Sequence, residues 1–320
     1  MKKLKRKQVD MHIHSNYSDG DCSIDELIKR IGVSRLKAAV LTDHDSIDGA
    51  EKFIRLCEEN NIDTMTGIEV SSTYCRFYGY GDRRTWKAEL HILGYGYDLN
   101  SLSKNNELLY NNQVVRNHHI ENMMWKYRLL EEFSVSFIEM TKQFDIPWPL
   151  TSKYWLMKSR VIDLMKKEDL GFNEAKAKAS KEISSGGKFH AERGNYCSPK
   201  EAIELLINHG GVAVWAHPLI YLRRIEKLFT DDTIKILEKT LKELKDYGLY
   251  GLEVYSQHHP KEDKKLLLEY CDKYKLDSNF GGSDYHGDEE EEHTPGGTYL
   301  GKGGISYDQF LKPRIIKHKK

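Results

Sequence analysis

Cysteine is scarce in this 320-residue chain, and the five present (Cys22, Cys57, Cys75, Cys197, Cys271) are odd in number with no C-x-x-C spacing. That argues against a disulfide framework or a cysteine-built zinc site and fits a reducing compartment. Charge of one sign is also missing, since 49 basic residues balance 49 acidic ones. Nothing in that balance calls for nucleic acid or an anionic membrane, so affinity for phosphate must come from local charge. No apolar run approaches the roughly 18 residues of a membrane span. The basic residues Lys2 to Lys7 are not followed by the apolar stretch of a signal peptide. Internal repeats are absent too. These absences predict a soluble, cytoplasmic protein with no obligate protein partner evident. The length suffices for one barrel-type domain, or for a domain carrying a large insertion.

Against that background, six histidines and three carboxylates fall into short motifs, each resembling half of a metal site. The first are Asp10-Met11-His12-Ile13-His14, Ser18-Asp19-Gly20, Thr42-Asp43-His44-Asp45 and Gly67-Ile68-Glu69. The others are Glu89-Leu90-His91, Ala216-His217-Pro218 and Gly282-Ser283-Asp284-Tyr285-His286. Imidazole and carboxylate together suit Zn, Mn and Fe, and open positions on such ions activate water. Alone, an H-x-H pair is commonly a half-buried strand pair, and Ala-His-Pro a strand-end turn. Their agreement in position and in ligand chemistry is what points to metal.

The chain pattern gives them a common location. Val9 to His14 predicts a strand, and Ser23 to Ile31 a helix with Ser23 as N-cap and Glu26 completing a capping box. Lys37 to Thr42 and Asp63 to Val70 predict further strands around an amphipathic helix at Ser46 to Asn60, and Glu89 to Tyr97 one more strand. From about Asn100 to Gly194 charged, helix-favouring residues take over, which predicts a helical insertion with Trp125, Trp148 and Trp155 to bury. Alternation then resumes. Helices are expected at Ser198 to His209, Asp231 to Tyr247 and Lys261 to Tyr274, and strands at Gly211 to Ala216, Tyr250 to Tyr255 and Asp277 to Gly282. Repeated β-α-β units imply parallel strands, whose C-terminal ends converge on one rim. His12 and His14 project from one face of a strand, and the other motifs would sit at strand ends.

Nine candidate ligands suit two or three ions. Three divalent ions opposed by three carboxylates leave about +3, a surplus suited to a dianionic phosphate ester.

DMHIHS with SDG, LTDHDS, GIE, AHP and GGSDYH, in this order over residues 8–97 and 195–304, resemble the PHP (polymerase and histidinol phosphatase) family. The resemblance implies an α/β fold, a distorted (βα)7 PHP barrel, with the helical insertion (98–194) as a cap and 305–320 as a basic tail. It implies two to three divalent ions (Mn, Zn or Fe). One would be held by His12, His14, Glu69 and Asp284; a second by Glu69 with His91 and His217; a third by Asp19, His44 and His286. Of these, Asp19, His44, Asp284 and His286 are expected to serve catalysis directly. HILGYGYD, SPKEAIELLINHGGVAVWAHP and GLEVY look like one branch, which includes nucleoside 3′,5′-bisphosphate phosphatases and 5′-to-3′ exonucleases of short oligonucleotides. The chain departs from that branch in a longer Tyr74 to Lys87 segment, and in Lys158-Ser159-Arg160-Val161 where Gly-Arg-Pro-His is usual.

The expected function is therefore metal-dependent hydrolysis of a phosphate ester, by attack of a metal-bridged hydroxide in line at phosphorus. The expected substrate is a small phosphorylated molecule, a nucleotide or short oligonucleotide. Arg160, Arg193 and His190, with Lys188, are candidates for a cationic clamp on it, or else ordinary surface charges. Trp148, Trp155 and Tyr154 would stack a base or form the insertion's own core. His258 and His259 would line the pocket or start a solvated helix. Asp10, Asp43 and Asp45 are expected to hydrogen-bond ligand imidazoles. The alternatives are a histidinol-phosphatase type of phosphomonoesterase, a metal amidohydrolase, and a non-catalytic metal-binding module.

Overall fold

The computed structural model describes residues 8–77, 85–129, 154–183, 187–220, 231–287 and 299–312. Strands and helices alternate at first: β1 (Val9–Ile13), α1 (Ile24–Ser34), β2 (Ala38–Leu41), α2 (Ala50–Glu59), β3 (Gly67–Phe77) and β4 (Thr85–Tyr95). Among the described residues four helices follow: α3 (Leu99–Ser103), α4 (Glu107–Leu129), α5 (Tyr154–Glu168) and α6 (Phe172–Ile183). The alternation returns with α7 (Pro199–Asn208), β5 (Val212–Trp215), α8 (Asp231–Asp246) and β6 (Gly251–Glu253). It ends with α9 (Lys261–Tyr274), β7 (Asp277–Phe280) and α10 (Tyr307–Phe310).

Local chemistry explains the well-placed helices. Ser23 accepts from the N–H of Glu26, and Ile24, Leu27, Ile28 and Ile31 give α1 one buried stripe. The Glu26 side chain is turned to Arg30 at 3.0 Å. Ser198 and Glu201 form a reciprocal capping box on α7 with Pro199 in its first turn. Helix α2 starts later than its apolar pattern suggests, at Ala50.

Strands β1 and β2 pair in parallel, and β3 to β7 form a second sheet in chain order. Single bridges join the two sheets: Ala38 to Asp63, His44 to Glu69, and Ile13 to Tyr285 beyond β7. The expectation of parallel strands throughout is corrected here. β3 and β4 are antiparallel over their whole length, Gly67 opposite Tyr95 to Phe77 opposite Thr85, and β4 is antiparallel to β5. The strand expected to end at Val70 continues through the polar Ser71, Ser72 and Thr73 to Phe77. Ser71 and Ser72 are nevertheless fully buried, with Ser72 Oγ donating to the carbonyl of Leu90 at 2.7 Å. Glu69 and His91 thus lie within strands, not at strand ends.

Helices α4 to α6 divide in two. Helix α4 is anchored to the sheet by Asn112 and Arg116, whereas α5 and α6 share a small core of Val161, Leu164, Ala175 and Ala179. Trp125, expected to be buried, is 59% exposed. The side chains of Trp148, Tyr154 and Trp155, and the acidic run from Asp288 to Glu292, lie outside the described residues. The segment expected to be a tail begins with structure: Ile305 bridges Val9, and Ile305 and Phe310 are buried. No helix among the described residues is long and apolar enough to cross a membrane.

Candidate metal centre

One buried carboxylate organises the centre. Nitrogens of five imidazoles lie around the two oxygens of Glu69: His12 at 3.0 Å, His14 at 3.2 Å, His44 at 3.4 Å, His91 at 3.0 Å and His217 at 3.1 Å. Asp284 stands 3.4 Å from His12 and 3.2 Å from His14, while Asp19 stands 3.5, 3.6 and 3.3 Å from His14, His44 and His286.

Glycine makes this approach possible. A Cβ on Gly282 would sit 2.4 Å from the Cβ of His12, so only glycine lets the chain after β7 lie against β1. Three non-glycine residues at the centre hold a left-handed backbone, Asp45 (φ 53°), His217 (φ 28°) and Asp284 (φ 55°). Such conformations are costly and persist where surrounding bonds fix them. The N–H of His217 donates to Glu253 at 2.8 Å, and Asp45 is held from four directions, as described below.

Three groups bring ligand atoms within 4.8 Å of one another: His12, His14, Glu69 and Asp284; His14, Asp19, His44 and His286; and His44, Glu69 and His91. The residues fit divalent cations. His14 Nε2 lies 3.2 Å from oxygens of both Glu69 and Asp284, yet neither ring nitrogen of His14, nor Nδ1 of His44, makes a hydrogen bond. Ligand atoms about 3 Å apart with this disposition suit ions held at about 2.0–2.2 Å.

Electrostatics agree. Burial would raise the Glu69 carboxyl, but His12, His44 and His91 hold it well below the usual carboxylate range. Asp284 is held down in the same way against burial by His12, His14, His258 and His286. Burial would lower His91 and His286. Glu69 and Glu89 outweigh that for His91, and Asp19 and Asp284 for His286, keeping each at about 10.

The PHP domain family profile matches residues 10–167. Over those residues the chain is similar to the PHP domain family. Its curated relatives include a 5′-3′ exoribonuclease of Haemophilus influenzae, 25% identical over 283 residues, covering 88% of this chain and 90% of the relative. A phosphoribosyl 1,2-cyclic phosphate 1,2-diphosphodiesterase of Eggerthella lenta is 24% identical over 278 residues, 87% of this chain and 94% of its own. A 3′,5′-nucleoside bisphosphate phosphatase of Chromobacterium violaceum is 24% identical over 280 residues, 87% of each chain. A solved Bifidobacterium adolescentis structure, assigned to the metal-dependent phosphoesterases, superposes with a TM-score of 0.71 over 96% of each chain at 22% identity. At that identity the likeness is one of fold.

All nine candidate ligands come together, and a cavity of about 620 Å³ opens beside them. Its wall includes Asp19, His44, Glu69, His91, His217, Asp284 and His286, together with Glu89, Arg116, Arg193 and His258. His258 Nε2 lies 3.3 Å from Asp284, while His259 is buried with Nδ1 facing the carbonyl of Val254. The structure does not bring Arg160 or His190 to the described wall of the cavity. Arg160 is buried and gives two hydrogen bonds to Glu182, at 2.7 and 3.2 Å, with its guanidinium over Phe189. The His190 ring lies 6.1 Å from that of His119. Arg193 does reach the wall and pairs there with Glu89.

The three aspartates expected to bond imidazoles hold backbone and helices instead. Asp10 accepts the N–H groups of His12, Ser283 and Gly301, tying β1 to the chain after β7. Asp43 accepts from the hydroxyls of Ser15 and Ser18. Asp45 accepts from the Ser71 N–H, Asn112 and Arg116, and its carbonyl from Gln113. The imidazole partners are two glutamates to which sequence reasoning gave no role: Glu253 bonds His12 Nδ1 at 3.0 Å, and Glu89 bonds His91 Nε2 at 3.1 Å. Glu89 could have been found, two residues before His91 on one strand face. Glu253 gives no such local signal.

Proposed function

We propose that this chain hydrolyses a phosphate ester, using two to three divalent ions (Mn, Zn or Fe) on His12, His14, Asp19, His44, Glu69, His91, His217, Asp284 and His286. The substrate is a nucleotide, either a nucleoside 3′,5′-bisphosphate or a short 5′-phosphorylated oligonucleotide. The observation that carries this reading is the crowding of five imidazoles around the buried carboxylate of Glu69. When bound, the ions supply Lewis acidity and the positive charge that favours a phosphoryl group.

The chain's own residues set the rest. Glu253 and Glu89 fix the rings of His12 and His91 by the nitrogen turned away from Glu69, which orients the ligand nitrogen and raises its basicity. Counting Glu253 with the three ligand carboxylates leaves about +2 of the +6 from three ions, still a match for a phosphate dianion. Arg193 lies on the wall for a non-bridging oxygen, and Arg160 is replaced in that role. A cavity of about 620 Å³ accommodates a nucleotide-sized molecule. The names of the three relatives all describe cleavage of phosphate esters, two of them on nucleotides or RNA. We read the two bridged sheets as a distorted (βα)7 barrel, residues 98–194 as its cap, and the location as cytoplasmic. Against an amidohydrolase, no lysine lines the cavity among the described residues.

The test is metal content together with phosphate release after reconstitution with Mn²⁺, on a nucleoside 3′,5′-bisphosphate, a 5′-phosphorylated oligoribonucleotide and histidinol phosphate. Two to three ions with turnover of a nucleotide is the expected result, and Asp284→Ala should abolish it with loss of metal. Bound metal with no turnover of any of the three would sink the proposal and favour a structural module.

A further inference from the structure

Arg116 has no role among the ligands, yet it is 7% exposed and lines the cavity beside them. Its Nη2 is fully engaged, donating to Asp45 at 3.1 Å and to the Ser71 hydroxyl at 2.5 Å. Its guanidinium carbon lies 5.6 Å from the centre of the Tyr196 ring, and that of Arg193 lies 5.5 Å from the same ring. The group is therefore held at one edge and along its face. Nε is buried and makes no hydrogen bond. A guanidinium fixed this firmly, on a residue of the cavity wall beside the ligands, is organised for an anionic partner that arrives with the substrate.

We propose that Arg116 is a substrate-binding residue, which gives a guanidinium N–H at the cavity wall to a phosphoryl oxygen of the bound ester. The proposal deepens the phosphoesterase reading and rests on it for the identity of the ligand. It assigns the contact to helix α4, and not to the segment around Arg160. It also gives Asp45 a second duty, because the carboxylate that fixes the loop carrying His44 is the one that aims Arg116. Tyr196 spaces the two guanidiniums, so Arg116 and Arg193 present separate donors to one oxygen-rich group.

The experiment uses the Mn²⁺-reconstituted full chain and measures the Kd of inorganic phosphate calorimetrically for wild type, Arg116→Lys, Arg116→Gln and Asp45→Asn. Metal content is recorded for each, and KM and kcat on a nucleoside 3′,5′-bisphosphate are followed in parallel. A charge-assisted hydrogen bond lost from a fixed donor should weaken phosphate binding about 10- to 100-fold. Both arginine variants should show that loss at full metal content, with KM raised more than kcat is lowered. The lysine variant keeps the charge but not the planar guanidinium, so its loss isolates the geometry. Asp45→Asn should disturb metal content first.

Wild-type phosphate affinity in fully metallated Arg116→Lys and Arg116→Gln would overturn the proposal. Phosphate affinity that falls only in step with metal would overturn it too, by reducing Arg116 to a support for Asp45. Phosphate binding through Arg116 without turnover of any ester would sink the phosphoesterase reading and leave this assignment standing.

Discussion

Glu253 lies 3.0 Å from Nδ1 of His12, while Nε2 of the same ring lies 3.0 Å from Glu69. With an ion on Nε2, Nδ1 would carry the proton and donate it to Glu253. The second oxygen of Glu253 receives the N–H of His217 at 2.8 Å, so one fully buried side chain orients two ligand residues from strands far apart in sequence. Truncation should therefore loosen both. Glu253→Ala is expected to lower metal affinity about 10- to 100-fold with the fold retained, and Glu253→Gln, which keeps the shape, to cost less. Competition against a chelator, with circular dichroism as the control, measures this. Unchanged affinity in the alanine variant would remove the positioning role.

Gly282 provides a steric test of the same junction. An added methyl would lie 2.4 Å from the Cβ and 2.5 Å from the backbone nitrogen of His12, and neither can yield without moving β1. Gly282→Ala should cost about 1–3 kcal/mol of stability, as overpacking does. It should also reduce bound metal, since Asp284 follows two residues later. Thermal denaturation and metal analysis together decide it. A variant with wild-type stability and metal would mean the chain can bend here.

How much of this was legible in the sequence follows from how each part is specified. The ligands were, because chemistry confines them to a few residue types in short motifs. The β3–β4 pairing was not. Ser71 and Ser72 read as polar loop because their partners, Arg116, Asn112 and Leu90, come from 18 to 45 residues away. The aspartates beside ligands were assigned to imidazoles by proximity in sequence. In space those places belong to Glu253, 241 residues from His12, and to Glu89. Arg160 looked like a free cation because Glu182, its partner, lies on another helix.

That last pairing makes a prediction. Arg160 and Glu182 join α5 to α6 through an ion pair with side chains 5% and 14% exposed. Removing one member of a buried pair strands the other, at about 3–5 kcal/mol. Arg160→Ala should therefore appear as a lower denaturation midpoint and not as a raised KM for a phosphate ester. A variant with undiminished stability and a KM increased tenfold or more would return Arg160 to the substrate.

The metal centre itself should be visible as stability. Glu69 belongs to two of the three candidate ligand groups, and in the unfolded chain its five imidazole neighbours disperse, so ions bind the native state far better. Binding at one hundred times Kd adds about 2.7 kcal/mol for a single site. For a chain of this size, with an unfolding entropy of about 0.7 kcal/mol/K, that corresponds to a rise in Tm of about 4 °C. Mn²⁺ or Zn²⁺ should give that rise, EDTA should reverse it, and Glu69→Gln should abolish most of it while its own metal-free Tm stays measurable. The glutamine variant separates ions held at the two groups that share Glu69 from ions held by surface carboxylates, because only the former need that side chain. If Tm ignores both metal and chelator in the wild type, the histidines are packed as a hydrogen-bonded cluster, and the ion-binding assignment of all nine residues falls.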